Sequence, residues 1–505
     1  MILARGADLT STDYPDQITR PARARPQRRP KARSAPKPTT AADLPPKVRL
    51  ALPVKLFLIA VLLPLGFQLG PLYLNMLRLV LLFAIVPLFF LLVTGRLGRL
   101  VFADYVFMLH LFWVSVTMFI HHPGEALEAS GIAMVEFLGA YLLGRACIRS
   151  KAEFVTLCKW AMWLTAITLP FALIESQTSS PLLLEMINSI PGLFSYADVQ
   201  HDPRMGLWRS QVVFVHPIHY GLFCSAAIPL TYIALRHVMP PKQRLIMTAA
   251  VTACCFLSLS SGALIAALLQ GALVAWAFMF RKVERRWLYL IILFVVAYVV
   301  VDILSNRTPF EVFMSYAVFS PHNAYWRALI LEWGLMNIFG STENNIPAAP
   351  IFGIGLNDWV RPWYMHSGSM DNFWLTIGVR HGLIAVLLLV LGWVITITRI
   401  GLRDFNGDPL LYDQRRAWTF LFVGLSFTLS TVHIWETTYS YTMFLFGAGI
   451  WMLSAAPERT EESPEDNTGD SGRPAKAATA SPEQRALPYS RFSPSQGASR
   501  QTTRK

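Results

Sequence analysis

The chain has 505 residues, 54% of them hydrophobic and only 15% charged, with a formal net charge of +13. Its mean hydropathy of +0.42 leaves too little charge to cover the surface of a soluble protein of this length, so the composition indicates a multispan membrane protein. The positive excess sits in the termini and in short loops between apolar runs, which excludes a nucleic-acid footprint and matches the charge bias that orients membrane proteins.

Residues 1–49 are rich in Pro, Ala, Arg and Lys, cannot bury a core, and read as a disordered cytosolic tail. Attraction of that tail to anionic lipid is conceivable, but without an amphipathic helix a solubilising or topogenic role is the simpler reading. No cleavable signal peptide is visible, because the first apolar run follows this long polar leader. From 50 to 456 the expectation is an all-α, polytopic bundle of about twelve spans, at roughly 20 apolar residues per crossing. The expected spans are 52–70, 72–94, 100–120, 131–148, 154–174, 211–235, 244–259, 262–280, 287–304, 373–397, 416–433 and 439–455. Arg and Lys recur in alternate loops, as in Arg96/Arg99, Arg145/Arg149/Lys151 and Arg281/Lys282/Arg285/Arg286. Those loops should face the cytosol, with both termini on that side.

Two loops on the opposite face are long, 175–210 and 305–372. The first holds an apolar stretch, PLLLEMINSIPGLF, suited to a short interfacial helix. In the second, AYWRALILEWGLMNIF has helical spacing and predicts a helix in the membrane surface rather than a crossing. Residues 457–505 form a second polar tail without periodicity. The five cysteines lie in or beside apolar segments without metal-ligand spacing and read as small buried residues. No metal or other cofactor is expected.

Three constellations could carry chemistry. Arg204 and Arg209 stand where a span begins, placed to grip phosphate bidentately or to anchor the chain at the interface, and His216 and His219 follow them. The Ser258-Leu259-Ser260-Ser261-Gly262 break permits a tight turn and close helix approach, and no nucleophile-elbow pattern surrounds its serines. The 305–372 loop concentrates Arg327, Arg361, His366 and Asp371 among aromatic residues, and Arg380 follows it. Arg327 and Arg361 as anion ligands, with a carboxylate or imidazole as base, is the economical assignment; metal ligation by His366 and Asp371 lacks a third ligand.

The order of these features resembles the O-antigen ligase/polymerase superfamily of bacterial envelope glycan enzymes, and within it the Wzy-type, exopolysaccharide polymerase-like branch. The residues that carry the resemblance are Arg204-x-Gly206, His216-Pro217-x-x-x-Gly221, Leu259-Ser260-Ser261-Gly262 and Tyr325-Trp326-Arg327. They continue with Pro350-x-Phe352-Gly353-x-Gly355, Arg361-Pro362-Trp363, Asp371-Asn372-Phe373-Trp374-Leu375 and Arg380-x-Gly382. The resemblance implies a metal-independent, inverting glycosyltransferase of the bacterial inner membrane. Its donor would be an undecaprenyl-diphosphate-linked glycan, taken at the periplasmic face beneath the large loop. Its product would be exopolysaccharide or O-antigen; a ligase that transfers glycan to lipid A-core or protein is the alternative. Arg204, Arg327, Arg361 and Arg209 would then bind diphosphate, with His216, His219, Tyr325, Trp363 and Arg380 as further substrate contacts. Many relatives carry His-Asn where this chain has Asp371-Asn372, so either Asp371 or His366 is the expected base. Membrane lipid, a flippase and a chain-length regulator are the expected partners, and nucleic acid is not. A polysaccharide or lipid transporter is the more distant reading, disfavoured by few intramembrane charges and no matching broken helices.

Overall fold

The computed structural model describes residues 48–69, 72–199, 202–317 and 321–457. The two polar tails expected at the termini therefore lie almost wholly outside the described residues.

The architecture is mostly helical. Pro53 in its first turn starts α1 (Leu52–Leu62). The expected first span does not continue to residue 70: Pro64 follows the helix end, and an antiparallel hairpin, β1 (Gly66–Leu69) with β2 (Leu72–Asn75), takes over. Asn75 then caps α2 (Met76–Val93) by accepting the Arg78 amide at 2.8 Å. After α3 (Phe102–His121), α4 (Ala126–Ala133) passes through a π-helical turn into α5 (Ala140–Cys147). Ser150 caps α6 (Lys151–Ala166), which runs on into α7 (Leu169–Thr178). The apolar stretch of the 175–210 segment forms the short α8 (Leu182–Asn188).

The second half comprises α9 (Pro217–Pro229), α10 (Pro241–Leu257), α11 (Ser261–Met279) and α12 (Arg286–Leu304). Two helices, α13 (Pro309–Ala317) and α14 (Pro321–Phe339), occupy the large loop. The chain ends its described part with α15 (Phe373–Gly401), α16 (Pro409–Thr428) and α17 (Glu436–Gly447). Asn372 and Asp408 cap α15 and α16 through side-chain oxygens.

Among the described residues, seven helical stretches are long and apolar enough to cross a bilayer, including the continuous runs Ala126–Cys147 and Lys151–Thr178. Large apolar side chains such as Phe83, Phe112, Leu268 and Ile303 point outward, the surface of a chain whose solvent is lipid. The interior is held by ring packing, with Trp393 stacked on Phe446 at 4.7 Å and Trp418 against Phe422 at 4.6 Å. The Arg- and Lys-bearing connections gather at one end. There Arg145 reaches the Arg99 carbonyl, Lys151 pairs with Asp408 and Arg286 meets Tyr412. We call this the basic end; the motif-bearing loops lie together elsewhere.

Candidate functional site

The loop that carries Arg204 and Arg209 is pinned from below by α7. The buried Glu175 carboxylate accepts the backbone N–H groups of Gln211 and Val212 at 2.7 and 2.9 Å, which holds Val212 in a left-handed conformation (φ 56°). The Ser176 carbonyl accepts from the Trp208 amide, and Ser210 bonds to the Ala172 and Leu257 carbonyls. Arg204 and Leu207 close a tight turn on each other, amide to carbonyl in both directions. A backbone so clamped gives the two arginines fixed roots.

The Leu259-Ser260-Ser261-Gly262 break is a sharp reversal between α10 and α11, with Leu259 at φ 44° and Ser260 capping α11. A Cβ on Gly262 would overlap the Val432 side chain, so glycine lets the reversal seat against the end of α16. Two arginines dock on it from different sides. Arg204 Nη1 donates to the Leu259 carbonyl at 2.7 Å, and Arg327 Nη2, from α14, to Ser261 Oγ at 3.4 Å.

These contacts bring together four segments that are distant in sequence. Burial holds the Arg204 guanidinium below its usual value. It pushes Arg209 down to about 9, where the Arg204 and Arg327 charges act in the same direction and Asp371 opposes them. Arg327 is lowered by burial and by Arg204, again with Asp371 opposing. Arg209 and Arg327 thus both feel the Asp371 carboxylate while Arg204 adds a like charge beside them, and Arg209 Nε and Arg327 Nη1 are buried without a hydrogen-bond partner. Asp371 itself accepts from Ser369 Oγ at 2.9 Å, one residue before the cap of α15. An excess of positive charge with unengaged buried donors is an arrangement that an anion completes.

The remaining candidates fall elsewhere. Arg361 is engaged inside its own loop, pairing with Asp358 at 2.5 Å and donating to the Met365 and Trp359 carbonyls. His366 is exposed. Trp363 is 90% exposed and continues a run of rings, Tyr325–Trp326–Tyr364–Trp363, with centroid spacings of 5.7, 6.3 and 5.7 Å. That run begins two residues from Arg327. His216 caps α9, its Nδ1 accepting the Ile218 amide. His219 is buried edge-on against Trp435 at 4.0 Å, and Trp435 stacks on His433, which in turn stacks on Phe373. Arg380 is exposed, and its carbonyl accepts the Gly355 amide.

The Pro350–Gly355 motif has a structural task. A Cβ on Gly382 would overlap the Ile351 carbonyl oxygen, and Leu383 and Ile354 bond across the same seam to Pro350 and Val379. The φ of 77° at Gly382 breaks α15 there and seats the large loop on it. Stacking of Trp113 on Phe352 and a bond from the Leu356 amide to His122 Nε2 tie the loop to α3 as well.

Several contributors were not singled out by spacing. Glu175 is an acid in an otherwise apolar run, LPFALIE, and that isolation was its signal. His433 and Trp435 lie in a segment whose only mark was its outward placement. Arg78 and Glu136 form a 2.7 Å ion pair from two apolar helices, with the charge of Glu436 close by. No family model matches the chain and no curated protein matches it.

Proposed function

We propose that the chain is a lipid-linked oligosaccharide glycosyltransferase, most simply a polymerase of undecaprenyl-diphosphate-linked repeat units. The observation that carries this reading is the clustering of Arg204, Arg209 and Arg327, with Asp371 as the opposing charge on Arg209 and Arg327. The topology that goes with it has about twelve crossings, both termini in the cytosol, and the arginine cluster facing the periplasm of a bacterial inner membrane.

The chemistry follows from the residue types. The donor diphosphate lies on the three guanidiniums, which stabilise the charge that develops as it leaves. The acceptor hydroxyl oxygen forms a bond to the anomeric carbon while the carbon–oxygen bond to diphosphate breaks and its electron pair leaves with the phosphate. The hydroxyl proton passes to Asp371, and one displacement inverts the anomeric centre. The exposed ring run from Tyr325 to Trp363 offers flat faces on which sugar rings of the glycan can lie.

Arg327→Ala should abolish polymer while leaving protein in the membrane. Normal polymer length and amount in that variant would sink the assignment. The lipid-linked pool of a deletion strain then separates the readings. Single repeat units accumulate when a polymerase is lost, complete unattached polymer when a ligase is lost, and unchanged pools with altered solute uptake indicate a transporter.

A further inference from the structure

A cavity lies at the basic end, away from the arginine cluster. It holds about 1480 Å³ between the ends of α10, α11 and α16 and the connections around 281–284 and 405–407. Its polar rim is strongly cationic: Arg236, Arg244, Arg281, Lys282, Arg286 and Arg416 face only Glu284 and Asp413. Asp413 is already shared, with His237 at 3.0 Å, Arg416 at 3.1 Å and Arg236 at 3.8 Å. Among the described residues Arg244, Arg281 and Lys282 make no ion pair, and Arg244 Nε is buried without a hydrogen-bond partner.

The other wall is apolar and comes from α11. Gly271, Ala275 and Phe278 line the cavity, and helical spacing puts Leu268, which is 72% exposed, on the same face. That face runs for about 15 Å along the helix at 1.5 Å per residue. Beside it stands α12, which buries none of its residues. It leans on α16 through the ring pairs Trp287–Phe420 and Phe294–Phe427, at 5.4 and 5.7 Å.

A cationic rim alone would suit any phosphate, and an apolar face alone any acyl chain. Their continuity selects a molecule with both. We propose that this cavity binds an anionic membrane phospholipid, with its headgroup phosphate on Arg244, Arg281 and Lys282 and its acyl chains along the Leu268–Phe278 face of α11 and against α12. Basic pockets between membrane helices are suited to such headgroups. The lipid supplies packing that α12 does not obtain from protein. This inference concerns the basic end and stands whether or not the glycosyltransferase reading does.

The test uses the full chain in mild detergent, incubated with equimolar phosphatidylglycerol and phosphatidylcholine and examined by native mass spectrometry. Phosphatidylglycerol should be retained over phosphatidylcholine by about tenfold or more, and an Arg244→Gln/Arg281→Gln/Lys282→Gln variant should lose at least about tenfold of that retention. Equal retention of the two lipids, or undiminished retention by a monodisperse variant, overturns the proposal. Should the variant not purify as a single species, a photoactivatable phosphatidylglycerol on the wild-type chain decides. Crosslinks within residues 268–286 are expected, and their absence overturns the site. Inorganic diphosphate is the third arm: if it binds in an Arg281- and Lys282-dependent manner and phosphatidylglycerol does not, the ligand is a soluble anion and the lipid assignment fails.

Discussion

Two groups of charges, one inside the helix bundle and one in the candidate site, are built on opposite plans. In the first, Asp104 accepts from Tyr141 Oη and pairs with Arg145 Nη2, both at 2.7 Å, and takes the Val101 amide at 2.8 Å. Arg145 also reaches the Arg99 carbonyl. One cation meets one anion, and protein groups fill the carboxylate's remaining positions. In the second, Arg204, Arg209 and Arg327 crowd together with Asp371 as the opposing charge on the last two, and a buried donor on each of those two stays unengaged. The first group, in which charge is balanced one to one and only Arg145 Nε lacks a partner, holds helices together. The second carries an excess of positive charge that a bound anion would offset, and the proposed function puts that excess to use.

The sharpest way to break this comparison is to remove one partner from each group. Asp104→Ala leaves Arg145 buried and alone, and should destabilise the protein by about 3–5 kcal/mol, read as a large drop in Tm or in the yield of folded protein. Arg209→Met should do the reverse, stabilising by about 1 kcal/mol because it deletes a buried charge that neighbours of like sign oppose. The same variant should lose diphosphate binding. A lower Tm for Arg209→Met would mean that this arginine is a structural partner after all.

The charge state of Arg209 sharpens the contrast further. Burial and the like charges of Arg204 and Arg327 lower its guanidinium from the ordinary range to about 9. It is therefore charged below about 9, and the stability cost of its charge, complete below that value, lifts as pH rises above it. Diphosphate affinity should fall as pH rises through about 9, while the protein does not lose stability there. A titration that is flat between pH 8 and 10 in the wild type, or equally steep in Arg209→Met, would remove Arg209 from the ligand set.

The amino-acid pattern exposed these two groups unequally. Apolar runs made most helices legible, because lipid demands continuous hydrophobicity. The early stop of α1 was hidden because the hairpin that replaces its second half is equally apolar, and the break in α15 at Gly382 because hydropathy runs straight through it. Arg204, Arg209, Arg327 and Asp371 stood out as polar residues on outward loops, yet their convergence depends on where Leu259 and Ser261 sit, which no local spacing encodes. Glu175 shapes the site without entering it, and its partners are backbone amides that any residue could supply.

Arg361 gives the finest test, because its sequence context and its geometry disagree. Its motif, Arg361-Pro362-Trp363, suggested a third diphosphate ligand beside Arg204 and Arg327. Its guanidinium instead faces the Asp358 carboxylate, which is 68% exposed on the side-chain scale, and carbonyls of its own loop. Exposed pairs of this kind contribute about 0–1 kcal/mol, and a bond to the Met365 carbonyl adds a similar amount. Arg361→Gln keeps a donor for that carbonyl and deletes only the charge. It should therefore lower polymer yield by less than about tenfold, the equivalent of about 1.4 kcal/mol, with donor affinity unchanged. A loss as complete as that of Arg327→Ala would show that the loop swings during turnover to carry Arg361 onto the donor, and the divide between balanced and unbalanced charges would then have to be drawn in the bound state.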